Sequence, residues 1–207
     1  MDVYFIRHGQ TDGNVARRHQ HQNSELNELG KEQIKRITPL IIDLNPTHLI
    51  SSTQLRALQT AQIIIEGGLD LIPNTYHAFE ELARPANIVG NRYFGLGTIG
   101  YMWRWFIDKD QSGGEDYGMF LERIKKARAY LESFEPDSRV VVVSHAIFIN
   151  LFLRHICKDE RMTLWQAAVA VYTVFFMRNA TIVHLKYNGP GKGKCSWQIL
   201  STDFKQK

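Results

Sequence analysis

The sequence has little cysteine and no apolar run long enough to cross a membrane. Its 207 residues include only two cysteines, Cys157 and Cys195. Two cysteines are too few for a disulfide framework, and this pair lacks the spacing of a metal site. We therefore interpret both as structural or incidental. A membrane-spanning helix needs about 20 consecutive apolar residues, and because no such run is present we expect no membrane association.

Charge of one sign is not concentrated anywhere in the chain. The formal net charge is +4, a small basic excess that suits an anionic ligand. The basic residues are scattered, with only short pairs such as Lys125 and Lys126, so a nucleic-acid partner is not expected. The first apolar run, Val3–Ile6, has neither a charged leader nor a cleavage-site pattern, and we expect a cytoplasmic protein.

Strand-like and helix-like segments alternate along most of the chain. The 44% apolar composition suits a single domain, residues 1–207, with a full core. This alternation predicts an α/β fold of three layers, with a mostly parallel central sheet and helices on both faces. The predicted strands are Val3–Ile6, His48–Ser51 and Arg139–Ser144; helices are predicted from about Asn27, around Leu55, Leu58 and Ile65, and over Tyr117–Phe134 and Ile147–Ile156.

Two segments depart from this alternation. Residues 85–115 are rich in glycine and aromatic residues without a clean period. We interpret them as an inserted lid, because a long irregular segment within a domain is usually functional; a satellite cluster packed on the core is the alternative. Near the C-terminus, Val171–Met177 and Thr181–Tyr187 flank a short turn and predict an antiparallel hairpin at the sheet edge. Asn188–Lys194 is predicted to be a loop.

Two histidines directly follow predicted strands. His8 comes after the first strand, and His145 comes after the strand that contains four consecutive valines, Val140–Val143. In open α/β sheets, ligands bind at the carboxyl ends of the strands, near a switch point in strand order. We therefore expect both histidines to project into one crevice.

The residues around His8 are suited to bind a phosphate group. Arg7 precedes it, and Gly9 allows the backbone to approach a ligand closely. Arg56 lies in the first turn of the second helix, where a helix N-terminus favours anions. Guanidinium groups offer forked, charge-assisted donors to phosphate oxygens, which a lysine would not replace well.

These residues, taken together, resemble the histidine phosphatase superfamily, also called phosphoglycerate-mutase-like. Members of that family carry an Arg-His-Gly motif, a downstream arginine in a segment like SxxxRAxQTA, and a second histidine in a segment that begins Val-Ser-His. This chain has all three in order, at Arg7–Gly9, Ser52–Ala61 and Val143–Ile147. Asn14 and the segment Leu26–Gly30 also match, so that the resemblance covers nearly the whole chain.

The resemblance implies a phosphatase that forms a phosphohistidine on His8 and needs neither a metal nor a cofactor. His8 must attack through a neutral ring nitrogen, with its other nitrogen protonated and oriented by an acceptor. The substrate-binding candidates around it are Arg7, Gly9, Thr11, Asn14, Arg56, His145 and Ala146. His19 and His21 lie too close in sequence, without carboxylate neighbours, to indicate a metal site.

A carboxylic acid is needed to protonate the leaving alkoxide. The family places a glutamate after the second helix and its following strand, where this chain has Glu80 and Glu81. We favour Glu81, because it follows Phe79 by two positions and precedes Arg84 and Pro85 as in the family, and Glu80 is the alternative. Ala146 stands where the family often has glycine, which matters only if the backbone there needs a positive φ.

Two other functions compete with a phosphatase that acts on a small phosphorylated substrate. A phosphoglycerate-type mutase would return the phosphoryl group to a second hydroxyl, but such enzymes usually have a longer chain and a different segment after the acid. A non-catalytic phosphate-binding module would be expected to lose His8 or the acid, and both are present. Neither the identity of the substrate nor the oligomeric state follows from the sequence.

Overall fold

A six-stranded sheet forms the centre of the computed structural model, which describes residues 1–107, 113–191 and 195–202. The strand order is β3-β2-β4-β1-β5-β6. Strands β1 to β4 run parallel, β5 is antiparallel to β1, and β6 is antiparallel to β5. The predicted α/β fold is confirmed. The strands are β1 Asp2–Arg7, β2 His48–Ser51, β3 Asn74–Thr75, β4 Arg139–Ser144, β5 Ile182–Tyr187 and β6 Trp197–Ser201.

Helices cover both faces of the sheet, because the central strands are apolar on both sides. On β4, Val141 and Val143 pack against α2 and α3, whereas Val140 and Val142 face the core that contains α5 and α6. A continuous apolar run is typical of such a doubly covered strand. The helices are α1 Asp12–Val15, α2 Glu28–Asp43, α3 Leu55–Glu66, α4 Leu96–Phe106, α5 Tyr117–Glu132, α6 Ala146–His155 and α7 Leu164–Phe176, with a 3-10 turn at His77–Phe79.

The pairing of β1 with β4 brings the two predicted histidines together. Arg7 and Ser144 are register partners, and the His8 amide donates to the Ser144 carbonyl over 3.1 Å. The next residue after each strand end is therefore at the same edge of the sheet. The ring centroids of His8 and His145 are 5.1 Å apart, which places both in one crevice as expected.

The antiparallel hairpin near the C-terminus is formed by β5 and β6, so that only the second of the two segments predicted from the sequence is one of its strands. Val171–Phe176 belongs to α7, and β5 pairs with β6 instead, so the strand prediction for Val171–Met177 is wrong. The β-branched and aromatic residues there suggested a strand, but the segment begins with a capping box, in which Thr163 and Gln166 each bond to the other's backbone. Asn188–Gly191 lies between the strands as a loop, and residues 192–194 lie outside the described part.

The segment interpreted as a lid contains helix α4, which the sequence pattern did not indicate. Tyr101 and Trp105 on this helix are buried, whereas Leu96, Ile99 and Trp103 are exposed. The exposed apolar residues obscure the helical period that a buried stripe would produce. Phe94, just before α4, stacks on Phe175 of α7 with ring centroids 4.5 Å apart, so that the segment preceding α4 packs against α7.

The two cysteines form a disulfide, and our prediction that they were merely structural or incidental missed this cross-link. Cys157, just after α6, is bonded to Cys195, just before β6, with their Cα atoms 5.1 Å apart. Such pairing cannot be read from two cysteines 38 residues apart in sequence, because it depends on how the chain returns to the sheet edge. In the described residues, no helix is both long and apolar enough to cross a membrane.

Candidate active site

His8 is held as a neutral imidazole, and its unprotonated Nε2 faces Arg56. Its side chain lies just after β1, where Nδ1 is 2.7 Å from the carbonyl oxygen of Gly9. A carbonyl only accepts, so Nδ1 carries the proton. Arg56 Nε donates to His8 Nε2 over 3.2 Å, which requires Nε2 to be unprotonated. Burial, followed by the charges of Arg56 and Arg7, lowers the pKa of His8 well below its usual value.

Arg56 is fixed in the first turn of α3 by contacts on all three guanidinium nitrogens. Nη1 donates to the His21 carbonyl over 3.0 Å, and Nη2 donates to Oε1 of Gln54. Nε faces His8 as described. Burial lowers the pKa of Arg56 to about 10, so the group remains a cation at neutral pH. A planar fork held in this way suits a tetrahedral oxyanion.

Arg7 lies at the end of β1, and one of its guanidinium nitrogens is unused. Nη1 donates to the carbonyl of Met177, which follows α7. Nε is buried and has no hydrogen-bond partner among the described residues. Burial lowers the pKa of Arg7, while the negative charge of Glu81 raises it. An unpaired, buried cationic donor beside His8 is the group that a phosphate oxygen would satisfy.

His145 comes directly after β4 and is fully buried. Its Nε2 is 2.7 Å from the Ser52 hydroxyl, and its Nδ1 has no partner in the described part of the chain. Burial, then the charges of Arg56 and other neighbours, lowers the pKa of His145 well below its usual value. When Ser52 donates to Nε2, the proton resides on Nδ1 and is available to a bound oxyanion.

The two candidate acids have different surroundings. The Glu81 carboxylate accepts from the amides of Ile147 and Phe148 in the first turn of α6, each over 3.3 Å, and from that of Leu82 over 3.0 Å. Its charge acts on Arg7 and Arg56. The Glu80 carboxylate instead accepts from the hydroxyl of the exposed Thr53. Glu81 is therefore the carboxylate that shares the site with the arginines.

The remaining candidates form a polar loop after His8. The Gly9 amide donates to Thr60 Oγ1 over 3.2 Å. Thr11 caps the short helix α1, and its hydroxyl donates to Gln20 over 2.7 Å. Asn14 completes this capping box, so both side chains have structural partners in the loop. Ala146 does not have a positive φ, and the absence of glycine there causes no strain.

Comparison with known proteins identifies the family. A family model described as "Histidine phosphatase superfamily (branch 1)" matches residues 3–198. The chain belongs to the histidine phosphatase superfamily. A Proteus mirabilis protein named "Probable phosphoglycerate mutase GpmB" is 32% identical over 161 residues, which are 74% of this chain and 73% of that protein.

Solved structures of other proteins share the fold of this histidine phosphatase superfamily member. A structure titled "Mycobacterial hydrolase 1" has a TM-score of 0.75 at 24% identity and covers 99% of both chains. A mycobacterial glucosyl-3-phosphoglycerate phosphatase, solved as a complex with VO3, has a TM-score of 0.71 at 24% identity and covers 96% of both chains. At these identities the likeness concerns the fold alone.

Two residues that sequence reasoning missed help to position this superfamily site. Asn179, in the turn before β5, donates through Nδ2 to the carbonyls of His8 and Gly9 over 3.1 and 3.3 Å. Arg123 on α5 donates to the carbonyls of Ala78 and Glu80 over 3.0 and 2.7 Å and pairs with Glu115 at 2.7 Å. Asn179 could have been suspected from its position in the sequence. The turn that leads into β5, the neighbour of β1, must pass close to the end of β1, where His8 lies.

The part of the chain that the structure describes has no group of three or more His, Cys, Asp or Glu side chains placed to hold a metal ion. His19, one of the two histidines considered for such a role, is 3.2 Å from the Thr98 hydroxyl through Nε2. His21 contributes its carbonyl to Arg56 and is exposed. Arg7 and Arg56 place positive charge beside His8.

Proposed function

We propose that this protein is a phosphomonoester hydrolase that acts through a phosphohistidine on His8. The observation that carries the proposal is the pair of contacts on the His8 ring. Nδ1–H is bonded to the Gly9 carbonyl, and the Nε2 lone pair faces the guanidinium of Arg56. This is the tautomer that a nucleophilic imidazole needs, aimed at the cation that would hold the phosphoryl group.

In the first half-reaction, the substrate phosphate takes the place of His8 Nε2 as the acceptor for Arg56, and this frees the lone pair. Arg7 Nε and His145 Nδ1, both without partners before binding, donate to other phosphate oxygens. The Nε2 lone pair then forms a bond to phosphorus while the ester P–O bond breaks. Charge that spreads over the phosphoryl oxygens in the transition state is stabilised by the two guanidinium groups.

Glu81, in its protonated form, gives its proton to the leaving alkoxide in this scheme. In the second half-reaction the Glu81 carboxylate accepts a proton from a water molecule as the water oxygen attacks phosphorus and the P–Nε2 bond breaks. Inorganic phosphate leaves, and both His8 and Glu81 return to their starting states. Support for Glu81 over Glu80 comes from its location at the first turn of α6, beside His145.

The proposed reaction needs no metal ion, because the charged donors of this chain can stabilise the negative charge that a metal ion would otherwise stabilise. Arg7 and Arg56 neutralise the phosphate dianion, and the phosphohistidine divides the displacement into two steps with a strong nucleophile in the first. The proposal is thus that activity persists in the presence of a chelator. Hydrolysis that requires added Mg²⁺ after EDTA treatment would contradict it.

A phosphoglycerate-type mutase is the second candidate, and the name of the Proteus mirabilis relative favours it. A mutase would share the first half-reaction and then transfer the phosphoryl group to a second hydroxyl of the substrate. Incubation with 3-phosphoglycerate distinguishes the two activities. We expect release of inorganic phosphate to exceed formation of 2-phosphoglycerate, and the reverse ratio would favour the mutase.

The first experiment measures hydrolysis of a generic phosphomonoester such as p-nitrophenyl phosphate by the His8→Ala variant. We expect kcat to fall by on the order of 10⁴-fold or more, as for the loss of other enzymatic nucleophiles. His48→Asn is the matched control, since His48 begins β2 at the opposite end of the strand from the site, and it should retain activity. Unchanged hydrolysis by His8→Ala would remove the nucleophile from the proposal, and absence of hydrolysis by the wild type would favour a binding module.

A further inference from the structure

Helix α7 turns its large apolar side chains toward solvent. Of its 13 residues, all within the described ranges, Ala170 alone is buried, whereas Trp165 is 77% exposed and Phe176 is 67% exposed. The helix contains no charged residue. The large exposed side chains lie at helical spacing along one face, at Leu164, Trp165, Val171, Tyr172, Phe175 and Phe176, and we call this surface the α7 face. An ordinary surface helix has the opposite arrangement, with its apolar stripe toward the core.

Small and polar residues hold α7 on the rest of the molecule. Ala167 and Ala170 pack against the core that contains α6. The Thr173 hydroxyl accepts from Asn150 Nδ2 over 2.6 Å, and Arg154 Nε donates to the Asn150 side-chain oxygen over 3.1 Å. Rotation of α7 to bury its aromatic side chains would break these contacts. The outward direction of the α7 face is therefore fixed by the fold.

Ring contacts extend the α7 face into a wider aromatic surface. The rings of Tyr172 and Phe176 have centroids 4.4 Å apart. The exposed Phe94, before α4, stacks on Phe175 with centroids 4.5 Å apart, and Phe175 also contacts Tyr93 at 5.7 Å. Contiguous exposed apolar surface of this kind marks a site that binds a protein or a membrane.

Three exposed arginines border the C-terminal end of the α7 face. Arg178 follows Met177, the C-cap residue of α7. Arg17 and Arg92 line a shallow cavity of about 330 Å³ together with Phe94. None of the three arginines forms an ion pair with a residue in the described ranges. The apolar surface therefore has cations at its edge that lack an acidic partner.

The chain itself supplies no segment suited to cover the α7 face. The residues outside the described ranges, 108–112, 192–194 and 203–207, contain a single apolar residue, Phe204, and are otherwise polar, charged or glycine. Segments of this composition have too little apolar surface to cover a row of aromatic side chains. The α7 face is thus available to a partner outside the chain.

A second copy of this chain fits poorly, because it brings no surplus negative charge to the arginines. In an antiparallel pairing of two α7 helices, Arg178 would meet the residues that precede the helix in the other copy. There Asp159 is paired with Arg128 at 3.0 Å, and Glu160 adjoins Arg161. In a parallel pairing the arginines would meet each other, which is unfavourable. An anionic lipid surface offers the missing charge together with an apolar interior.

We propose that the α7 face, with Phe94 and the three arginines, docks the protein on the surface of an anionic lipid bilayer. Trp165, Tyr172 and Phe176 enter the boundary between headgroups and acyl chains, where aromatic side chains are favoured. The guanidinium groups bind headgroup phosphates. Such a contact needs no run of about 20 apolar residues, whose absence was the ground for expecting no membrane association. Docking of this kind is independent of the reaction proposed above.

The first test measures co-sedimentation with lipid vesicles at low ionic strength. The probes are vesicles of phosphatidylcholine alone and vesicles of phosphatidylcholine mixed with the anionic lipid phosphatidylglycerol. We expect the partition coefficient to be at least about tenfold higher for the mixed vesicles, because each arginine near an anionic surface adds to binding. Added salt should weaken this binding. No binding to the mixed vesicles, or equal binding to both kinds, would overturn the proposal.

A double substitution assigns the binding to the α7 face. Trp165→Gln combined with Phe176→Gln should lower the partition coefficient on mixed vesicles by about tenfold or more, because two aromatic side chains no longer enter the bilayer. Ile72→Gln is the control, since Ile72 is also exposed but precedes β3, at the opposite edge of the sheet from β5 and β6. Its binding should match that of the wild type. Unchanged binding by the double variant would reject the α7 face as the docking surface.

Arg17→Gln combined with Arg92→Gln tests the charged border in the same assay. The loss of two cations should reduce the preference for mixed over neutral vesicles by about tenfold. Arg36→Gln is the control, because Arg36 is exposed on α2, which packs on the other face of the sheet from the core that α7 joins. It should keep the wild-type preference. An unchanged preference in the double variant would reject the role of the arginines.

Fluorescence tests insertion in the wild-type protein itself. Mixed vesicles with bromine atoms on their acyl chains should quench part of the tryptophan emission. Trp165→Phe keeps an aromatic side chain, so it should bind as the wild type does but lose the quenching that arises from Trp165. Equal quenching of the two proteins would show that Trp165 stays outside the bilayer, against the proposal.

Self-association is the alternative that sedimentation velocity without lipid can identify. We expect a monomer whose sedimentation coefficient is the same in the double variant of Trp165 and Phe176. A dimer that this double variant converts to a monomer, in a protein that does not bind mixed vesicles, would assign the α7 face to a second copy and overturn lipid docking.

Discussion

At the residue scale, the protonation state of His8 follows from its burial and from the charged residues around it. The ring is 2% exposed, so a charged imidazolium would lose most of its hydration. Arg56 and Arg7 add repulsion against a second positive charge, and only the Gly9 carbonyl favours the proton. The two arginines that we propose to bind the substrate phosphate therefore also keep the proposed nucleophile unprotonated.

The ring state of His8 in the substrate-free protein can be measured directly. At about pH 5, where an ordinary histidine is mostly charged, His8 should remain neutral with its proton on Nδ1. The measurement is a pH titration of the imidazole ¹⁵N chemical shifts by NMR, with His8 assigned from the spectrum of His8→Asn. A His8 signal that titrates near pH 6.5, or that shows the Nε2–H tautomer, would contradict the assignment.

At the element scale, the site lies where the ends of β1 and β4 meet the first turns of α3 and α6. The backbone of α2 also makes one close contact with the loop after His8. The N-terminal turn of α2 packs directly against the loop after His8. A Cβ atom on Gly30 would lie 2.1 Å from the Gln10 carbonyl oxygen, and one on Gly9 would lie 2.5 Å from the Gly30 carbonyl oxygen. Both positions therefore need glycine for close approach.

Gly30→Ala should consequently destabilise the protein and impair catalysis together. Separation of the two backbones is expected to cost about 1 to 3 kcal/mol, as for other overpacked positions, and to lower kcat because Gln10 adjoins the His8–Gly9 turn. Urea unfolding and steady-state kinetics measure the two effects.

Gly97→Ala in α4 is the matched control for this change. Its Cβ would meet only the Asn91 side chain at 3.7 Å, and alanine in a helix should stabilise by up to about 1 kcal/mol. Equal behaviour of the two variants would show that the close contact at Gly30 does not support the site.

The elements also show what could be predicted from the sequence. His8, Arg56 and His145 could be placed in one crevice because strand ends of a parallel sheet share an edge, and local patterns locate those ends. The strand predicted at Val171–Met177 is helical as far as Phe176, because the cap at Thr163 and the alanines that follow outweigh β-branched residues. The partner carbonyls of Arg7 and Arg56 depend on distant loops, and no local pattern reveals them.

At the scale of the whole molecule, four buried histidines link stability to pH. His8, His19, His145 and His155 are all buried, and burial is the main cause that lowers the pKa of each. In the unfolded chain these groups return to ordinary values near 6.5. Below that pH the unfolded state binds more protons than the folded state, so stability falls as the pH decreases.

We therefore predict a steep loss of stability on acidification. Each of the four histidines should contribute a slope of up to about 1.4 kcal/mol per pH unit below pH 6.5, until its own folded pKa is reached. Urea unfolding between about pH 7 and pH 5 measures the total slope. His155→Gln, which is outside the site, should reduce this slope of stability against pH, because burial lowers the pKa of His155 in the folded state. An unchanged slope would contradict the assignment.

The most direct test of the central claim is to trap the intermediate. The enzyme is mixed with a phosphomonoester, quenched with alkaline denaturant within one turnover, digested and analysed by mass spectrometry. We predict a phosphoryl group on Nε2 of His8, stable in base and labile in acid, and absent from His8→Ala. A phosphoryl group on another residue, or turnover with no phosphoenzyme at any quench time, would contradict the assignment of His8 as the nucleophile.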